Sequence, residues 1–170
     1  MFKNKKPVVA IDGTSSSGKG TLARSIAVAT NFDHLDTGSL YRYLAHLSVV
    51  KKQNIEEIIS KNPKINLSDL CKLDLRKESI SRQSSIIAQK KIVRNFLIKF
   101  QRDFANNPPK GFGSIIDGRD ISSRIIPCAE IKFFVDANIQ TRTNRRINEI
   151  KKNKTSKPVF QEIYNQLLER

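Results

Sequence analysis

The chain has 170 residues, of which 38% are hydrophobic and 28% are charged, and its formal net charge is +15. That length suits one domain with a normal core, and no apolar run approaches a transmembrane span. The charge predicts either a nucleic-acid ligand or a surface that surrounds several phosphates. Two cysteines, Cys71 and Cys128, are too few for a disulfide framework and indicate a reducing compartment. We therefore expect a cytoplasmic protein that does not bind membranes.

A phosphate-binding loop is predicted near the start of the chain. Val8–Ile11 predicts a buried strand, and the pattern of Thr21–Ala29 predicts a helix. Between them stand small residues and a lysine: Gly13, Thr14, Ser15, Ser16, Ser17, Gly18 and Lys19. Small residues let backbone N–H groups turn toward an anion, the helix start adds unpaired donors, and lysine adds a mobile charge. The spacing is that of a P-loop, except that Gly20 stands where the strict motif has a hydroxyl, which follows at Thr21.

The stretch after the P-loop helix predicts a second anion site. Residues 31–38 predict a turn and a short strand, and Ser39–Lys51 predicts a helix. Four apolar residues mark the expected buried face of that helix: Leu40, Leu44, Leu47 and Val50. Thr37 or Ser39 can cap the helix, and Arg42 lies one turn inside it. Taken alone, these residues fit a capped helix with a surface arginine, but a P-loop one strand away favours a second phosphate site.

The middle of the chain predicts helices on both sides of a polar connecting segment. Ile55–Lys61 predicts a short helix, and the weak pattern of Asn62–Ser79 is typical of a flexible flap. Ser81–Ala105 predicts one long helix or two abutting helices. Its expected core stripe consists of six apolar residues: Ile86, Ile87, Val93, Phe96, Leu97 and Phe100. Proline and glycine then indicate a loop over residues 106–111.

The last third of the chain predicts two strands and two helices. Ser114–Asp117 predicts a strand, and Gly118-Arg119-Asp120 follows at its C-terminal end, the edge where parallel sheets bind ligands. A surface ion pair is the plain alternative for Arg119 and Asp120. Further elements are predicted as a strand over Ile131–Val135, a basic helix over Ile139–Asn153 and a last helix over Val159–Arg170. The order of these elements predicts an α/β fold with a parallel sheet.

Together these motifs resemble the bacterial cytidylate kinases, a family of P-loop nucleoside monophosphate kinases. Three segments carry most of the resemblance: Ile11–Thr21, Leu35–Arg42 and Asp117–Asp120. Ser85, Arg94, several residues from Pro127 to Phe134, the Arg145-Arg146 pair and Leu168-Glu169-Arg170 extend it over nearly the whole chain. The resemblance implies one P-loop kinase domain over residues 1–170, with a parallel sheet flanked by helices. It also implies a short NMP-binding insert at about residues 55–84 and a mobile lid at about residues 142–170.

The resemblance implies a role for each motif. ATP would be bound by the P-loop residues Gly13, Thr14, Ser15, Ser16, Ser17, Gly18, Lys19, Gly20 and Thr21. CMP or dCMP would be bound by Thr37, Arg42, Ser85, Arg94, Arg119 and Asp120. Lys19, Arg119 and Arg146 would be the catalytic residues, and the lid would carry Arg142, Arg145, Arg146 and Arg170. Mg²⁺ is expected to arrive on ATP, without a metal site made of protein side chains.

These roles make chemical sense for in-line phosphoryl transfer to a cytosine nucleotide. Asp120 can accept from the exocyclic amine of cytosine, where uracil would present a carbonyl, and Arg94 can donate to the ring acceptors. The reaction needs positive charge and alignment but no covalent intermediate. We therefore expect ATP-dependent phosphorylation of CMP and dCMP by a monomer, with no obligate protein partner and no specific nucleic acid.

Three other functions are compatible with parts of the sequence. Another small P-loop kinase, for adenylate or a small metabolite, would share Lys19 but would not need Arg94 with Asp120. A nucleic-acid-binding protein would explain the charge, but the basic tail lacks the interleaved aromatic residues that stack on bases. Because the family continues past the position of Arg170 with a last strand and helix that we expect to be absent here, a fragment that binds nucleotide without catalysis is the third alternative.

Overall fold

The strands pair into one sheet with the P-loop strand inside it. The computed structural model describes residues 6–152 and 159–168. In that part of the chain the strands are β1 (Val8–Gly13), β2 (Asp33–Asp36), β3 (Ser114–Gly118) and β4 (Ile131–Val135), in the order β2-β3-β1-β4. β1 pairs in parallel with both β3 and β4. The predicted α/β fold with a parallel sheet flanked by helices is confirmed.

Helices connect the strands and fill the middle of the chain. Those in the described residues are α1 (Lys19–Thr30), α2 (Thr37–Lys51), α3 (Ile55–Ser60), α4 (Leu67–Lys72), α5 (Glu78–Ile87), α6 (Lys91–Asn106), α7 (Ile139–Lys152) and α8 (Phe160–Leu168). A single π-helical turn over Ile121–Ile125 follows β3. Among these helices none combines the length and the apolar content that a membrane span requires.

The chain divides into two compact units. The sheet unit comprises residues 1–35 and 104–170, and the helical unit comprises residues 36–103. The segment predicted as the NMP-binding insert, residues 55–84, belongs to the helical unit, and the segment predicted as the lid, residues 142–170, belongs to the sheet unit.

One face of the sheet packs against α1. All six residues of β1 and all five of β3 are buried. Val9, Ile11 and Ile115 form a hydrophobic cluster with Ala23 of α1, and Phe32 packs against that cluster. Because side chains alternate between the two faces of a strand, this cluster determines which residues of each strand face the P-loop helix.

β1 and β4 approach each other closely at their C-terminal ends, where Gly13 is paired with Val135. A Cβ atom on Gly13 would lie 2.1 Å from the carbonyl oxygen of Val135, so only glycine fits there. On the other side β4 is the outer strand of the described sheet. Its side chains are largely open to solvent, with Ile131, Phe133 and Phe134 exposed by 49%, 42% and 72%.

α7 and α8 pack against each other within the sheet unit. Ile150 of α7 forms a hydrophobic cluster with Ile163 and Leu167 of α8. Positions four apart lie on one face of a helix, which explains why both α8 residues reach α7. Both helices were predicted from the sequence; residues 153 and 169–170, which belonged to those predictions, lie outside the described part of the chain.

The core of the helical unit lies between α2 and α5. Leu40 and Leu44 of α2 are fully buried, as predicted, and Leu47 is half-buried. The prediction that Val50 shares this buried face is wrong, because Val50 is 63% exposed. It lies in the last turn of α2, beyond the buried segment that ends at Ala45.

α5 and α6 are the two abutting helices that the sequence allowed. Three residues of the predicted stripe are buried: Ile87, Val93 and Leu97. Phe96 and Phe100 are half-buried. Ile86 is 52% exposed, contrary to the prediction, because consecutive residues point about 100° apart around a helix and Ile87 takes the inward direction.

The connection predicted as a polar flap contains a short helix. Asn66 stands at the N-cap of α4, Asp69 lies in the first turn and Lys72 in the last. These charges match the helix dipole, but a helix of six residues is too short to produce a clear hydrophobic period.

The contact between Gly13 and Val135 predicts the effect of adding one methyl group. Gly13→Ala should lower the free energy of unfolding by about 1–3 kcal/mol, since β1 or β4 must shift to make room. Urea unfolding followed by circular dichroism would measure the loss. Gly20→Ala is the control, because a Cβ there meets its nearest atoms at 3.5 and 3.6 Å, which is ordinary contact. Equal stability of both variants would contradict the strand packing described above.

Candidate active site

The loop between β1 and α1 has the backbone shape of an anion site. Ser16 and Gly18 both have left-handed conformations, with φ of 61° and 103°. No side chain caps α1 at Gly18, and the carbonyl of Gly18 accepts from the N–H groups of Thr21 and Leu22 at 3.0 and 3.1 Å. A helix start without a side-chain cap is an arrangement that binds phosphate through backbone N–H groups and the helix dipole.

Two polar side chains, Lys19 and Ser17, belong to this turn between β1 and α1. The ammonium group of Lys19 donates to the carbonyl of Thr14 at 3.1 Å, which folds the lysine back over the loop. The hydroxyl of Ser17, a residue only 4% exposed, has no hydrogen-bond partner among the described residues. Burying a hydroxyl without a hydrogen-bond partner destabilises the folded protein. A ligand that forms a hydrogen bond with Ser17 would remove that penalty.

Asp136, just after β4, holds the loop from the side. Its carboxylate accepts from the hydroxyl of Thr14 at 2.6 Å. This bond is the main cause of a pKa below the usual 3.8 for Asp136, and a backbone hydrogen bond at Ala137 and the charge of Arg142 act in the same direction. Asp136 is therefore expected to remain ionised near neutral pH and to fix the position of Thr14.

Asp12 joins the P-loop strand to the segment that follows β3. Its carboxylate accepts from the N–H groups of Ile121 and Ser122 at 2.7 and 2.8 Å, and from the hydroxyl of Ser122. Asp12 is 3% exposed, so these three donors satisfy a buried charge. Sequence reasoning included Asp12 in the segment Ile11–Thr21 that carries the family resemblance but gave it no role of its own; an acidic residue directly after a buried apolar run was the available signal.

The Gly-Arg-Asp motif lies beside the P-loop strand. Gly118 pairs with Asp12 in the sheet, so Arg119 and Asp120 follow at the same edge as the P-loop. Arg119 is exposed and Asp120 is half-buried. The side chain of Asp120 does not cap the π-helical turn that begins after it; its backbone carbonyl instead accepts from the N–H of Arg124 at 3.0 Å. Its carboxylate is thus not required for that turn.

α7 brings arginines to the P-loop. Arg145 donates to the carbonyl of Ser17 at 2.6 Å, and the same nitrogen would lie 3.3 Å from a Cβ on Gly18. Arg142 has a buried Nε atom with no hydrogen-bond partner among the described residues. Arg146 donates to Glu149 at 3.0 Å, one turn along the helix. Arg170, which was predicted to belong to this group, lies outside the described residues.

The start of α2 in the helical unit holds an arginine in a fixed position. Arg42 pairs with the carboxylate of Asp36 at 2.8 Å. A Cβ on Gly38 would lie 3.0 Å from both partners, so glycine is what leaves room for the pair. Asp36, rather than Thr37 or Ser39, caps α2: its carboxylate accepts from the N–H of Ser39 at 3.2 Å, and the cap prediction is corrected accordingly. Aspartate competes well because its side chain reaches the helix N–H groups while its backbone stays extended.

The other predicted CMP-binding residues of the helical unit lie near the junction of α5 and α6. Ser85 donates to the carbonyl of Ser81 at 3.1 Å. Arg94 donates through Nε to the carbonyl of Ala88 at 2.6 Å, so the guanidinium group is held against the end of α5. Both side chains are half-buried, and α5 itself packs against α2, which carries Arg42.

The predicted residues therefore fall into two groups, each assembled within its own unit. The sheet unit brings together the P-loop, Arg119, Asp120 and the arginines of α7. The helical unit carries Thr37, Arg42, Ser85 and Arg94. Sequence reasoning assigned no role to His34 and Asp117, which form a hydrogen bond of 2.7 Å next to the P-loop. No three His, Cys, Asp or Glu side chains in the described ranges form a cluster that could hold a metal ion.

Comparison with known proteins points to one family. The family model for cytidylate kinase matches residues 9–170. A cytidylate kinase of Bartonella bacilliformis is 45% identical over 148 residues, which cover 85% of this chain and 67% of that protein. One from Paramagnetospirillum magneticum is 39% identical over 146 residues, covering 84% and 69%. One from Bartonella tribocorum is 39% identical over 166 residues, covering 96% and 75%.

The bond between Thr14 and Asp136 predicts a titration. A lowered pKa means that the bond contributes stability above the ordinary pKa of 3.8 and loses it as the pH falls through the lowered value. Thr14→Val should therefore raise the pKa of Asp136 toward 3.8, measured by NMR of the side-chain carboxyl carbon.

A second carboxylate provides the control for this titration. The pKa of Glu56 is lowered chiefly by a hydrogen bond from Lys90, at 2.7 Å. Lys90→Gln should raise the pKa of Glu56 toward 4.5 and leave Asp136 unchanged. An unaltered titration of Asp136 in the Thr14→Val protein would show that Thr14 is not its donor.

Proposed function

The chain belongs to the cytidylate kinase family, and we propose that it transfers the γ-phosphoryl group of ATP to CMP and dCMP, giving the nucleoside diphosphates. The observation that carries the proposal is the P-loop beside the Gly-Arg-Asp motif at one edge of a parallel sheet. That edge would supply a phosphate site and a charged pair for the acceptor nucleotide, which suits the cytidylate kinase family to which the chain belongs.

The triphosphate of ATP would bind at the N-terminus of α1. Backbone N–H groups of residues 13–21 would donate to the phosphate oxygens, and Lys19 would exchange the carbonyl of Thr14 for an outer phosphate. The buried hydroxyl of Ser17 would gain an acceptor at the same time. Asp136 and Gly13 hold the loop in this shape before ATP binds. The loop therefore loses less conformational entropy on binding.

CMP would be recognised by charge at its phosphate and by hydrogen bonds at its base. Arg42 and Arg119 would bind the phosphate, and the orientation of Arg42 by Asp36 supports that role. Thr37, Ser85, Arg94 and Asp120 would surround the cytosine. A carboxylate that does not cap the turn after it is available to accept from the exocyclic amine, which supports the part given to Asp120.

Phosphoryl transfer would then proceed in line, without a protein nucleophile. Lys19, Arg119 and Arg146 would stabilise the negative charge on the transferred group, because the transition state spreads charge over its equatorial oxygens. Arg142 and Arg145 would add positive charge from α7. Arg145 already touches the P-loop through the carbonyl of Ser17, which supports its place in a lid over the triphosphate. Closure of that lid would exclude water and limit ATP hydrolysis.

Mg²⁺ would enter with ATP and neutralise part of the phosphate charge. The donors beside the P-loop fit a hard cation, since they include the hydroxyl of Thr21 and the carboxylate of Asp117 rather than thiols or a set of imidazoles. Gly20 occupies the position whose hydroxyl binds the metal in the strict P-loop motif, so Thr21, one residue later, would supply the hydroxyl here. The phosphates and water would provide the remaining ligands.

The chain would act as a cytoplasmic monomer. Both cysteines, Cys71 and Cys128, expose their side chains to solvent, as suits a reducing compartment. ATP and the nucleoside monophosphates are the only partners that the proposed reaction needs.

An assay of ADP release against a panel of acceptors tests the function. With Mg-ATP, the chain should phosphorylate CMP and dCMP in preference to UMP, AMP and GMP. Lys19→Ala should abolish turnover while leaving the circular dichroism spectrum unchanged, which assigns the activity to this P-loop. Turnover led by AMP would move the chain to an adenylate kinase function, and no turnover in the unmodified chain would contradict the proposal.

If Asp120 accepts a hydrogen bond from cytosine, its replacement should weaken the binding of CMP but not that of ATP. Asp120→Ala should raise the KM for CMP by about 10- to 100-fold, the usual result of removing a charged hydrogen-bond partner, and leave the KM for ATP nearly unchanged. Asp74→Ala, which removes an exposed aspartate outside the motifs, is the matched control. Equal losses for CMP and ATP would exclude Asp120 from recognition of the base.

A further inference from the structure

We propose that Asp12 is a positioning residue for the recognition of cytosine: it caps the turn after β3 in place of Asp120, and so leaves the carboxylate of Asp120 available to the base. The inference rests on the proposed function in its last step, where Asp120 meets the acceptor nucleotide. Asp12 acts through Asp120 and touches no substrate itself.

The turn that follows Asp120 begins with buried N–H groups that need an acceptor. It is a single π-helical turn, Ile121–Ile125, in which the N–H of Ile126 donates to the carbonyl of Ile121 at 2.7 Å. Such turns are rare and occur frequently at functional sites. The N–H groups of Ile121 and Ser122 open the turn, so they have no acceptor within it. Ile121 is fully buried, which keeps water from taking that place.

An aspartate at the N-cap is normally the residue that satisfies such N–H groups. Asp36 does so at the start of α2, where its carboxylate accepts from the N–H of Ser39 at 3.2 Å. Asp120 holds the same position before the π-helical turn, but its side chain forms no cap hydrogen bond with the described residues of that turn. The same residue type at the same position therefore caps one helical segment and leaves the other to a different acceptor.

Asp12 is that acceptor. Its Oδ1 atom accepts from the N–H of Ile121 at 2.7 Å, and its Oδ2 atom accepts from the N–H of Ser122 at 2.8 Å and from the hydroxyl of the same serine. Val9 and Ile11 pack on the side of β1 that faces α1, so the alternation of side chains directs Asp12 to the opposite side. The turn after β3 is thus capped by a neighbouring strand.

This cap from outside the turn determines what Asp120 can do. If Asp12 is lost, the N–H groups of Ile121 and Ser122 still require an acceptor. Aspartate side chains readily bind N–H groups close ahead of them in the chain, and Asp120 directly precedes the turn. Its carboxylate would then rotate toward these N–H groups and away from a bound base. The expected defect is a loss of CMP binding, while the P-loop groups that bind ATP keep their places.

Isothermal titration with CMP, and separately with AMP-PNP and Mg²⁺, tests the proposal without requiring turnover. Asp12→Asn replaces one of the two accepting oxygens with a donor. It should weaken CMP binding by about 10-fold or more, the scale seen when an outer partner of a functional side chain is removed. The affinity for AMP-PNP should remain nearly unchanged. Unaltered CMP affinity, or an equal loss for both nucleotides, would overturn the role of Asp12.

Another aspartate of the sheet unit provides the matched control. The carboxylate of Asp33 also accepts from a backbone N–H, that of Lys110 at 2.7 Å. Asp33→Asn makes the same chemical change away from the turn after β3, and should lower the melting temperature but alter CMP affinity by less than about twofold. A loss of CMP affinity as large as that of Asp12→Asn would show that any weakened carboxylate contact in the sheet unit has this effect.

A double substitution distinguishes positioning from general support of the fold. If Asp12 acts through Asp120, adding Asp12→Asn to a chain that already carries Asp120→Ala should weaken CMP binding by less than about twofold further. Multiplication of the two separate losses would show that Asp12 acts on CMP by another route, and would overturn the proposal.

Amide hydrogen exchange measured by NMR identifies the cap directly, even if Asp12→Asn fails to fold. The amides of Ile121 and Ser122 should be protected in the unmodified chain and equally protected in Asp120→Ala, because Asp12 is their acceptor. In a folded Asp12→Asn protein their exchange should change. Loss of protection in Asp120→Ala would show that Asp120 is the cap and would overturn the proposal.

The exchange measurement also keeps the two proposals apart. An unmodified chain that binds no CMP would contradict the proposed function and the last step of this inference. The protection of the two amides would still decide whether Asp12 caps the turn in place of Asp120. CMP binding together with loss of protection in Asp120→Ala would overturn the present inference alone.

Discussion

The carboxylate of Asp12 is the interaction on which the arrangement of the sheet unit depends. It lies one residue before the end of the strand that leads into the P-loop, and it accepts from two backbone N–H groups and one hydroxyl of the turn that follows Asp120. A buried charge satisfied in this way cannot be displaced without losing several hydrogen bonds at once. One side chain therefore sets the distance between the phosphate loop and the Gly-Arg-Asp motif, although Asp12 itself does not need to touch a substrate.

The positive charge of the chain is organised by acceptors of the protein itself. Arg42 is paired with Asp36, Arg145 with a P-loop carbonyl, and Arg146 with Glu149. Each of these contacts gives a long, mobile side chain a defined direction. An arginine that is already oriented loses less conformational entropy when a phosphate arrives, so its bond to the ligand is worth more. The net charge of +15 attracts nucleotides from a distance, and the local acceptors fix the positions of the arginine side chains that would bind them.

The sequence alone was enough to predict the elements whose signals are local. Apolar period, glycine and proline were enough to recognise the P-loop, the two buried strands and helices α3, α5 and α6. They were not enough for α4, whose six residues are too few to show a clear period. The membership in the cytidylate kinase family followed from motifs that match in order. The helix ends and outer faces were less certain: Val50 and Ile86 are exposed because tertiary packing selects only part of an apolar stripe. The pair of His34 with Asp117 joins residues 83 positions apart. No local pattern reports such a contact, since it depends on which strands become neighbours.

The open outer strand of the sheet has a consequence for how copies of the chain behave in concentrated solution. Ile131, Phe133 and Phe134 present apolar surface along an edge that is suited to pairing with another strand. Mutual repulsion between chains with a net charge of +15 opposes the approach of two such edges. That repulsion acts over about 10 Å at 0.1 M salt but over only about 3 Å at 1 M. Colloidal stability would thus fall as ionic strength rises: low salt protects the dispersed state, and high salt brings the apolar edges within reach of each other.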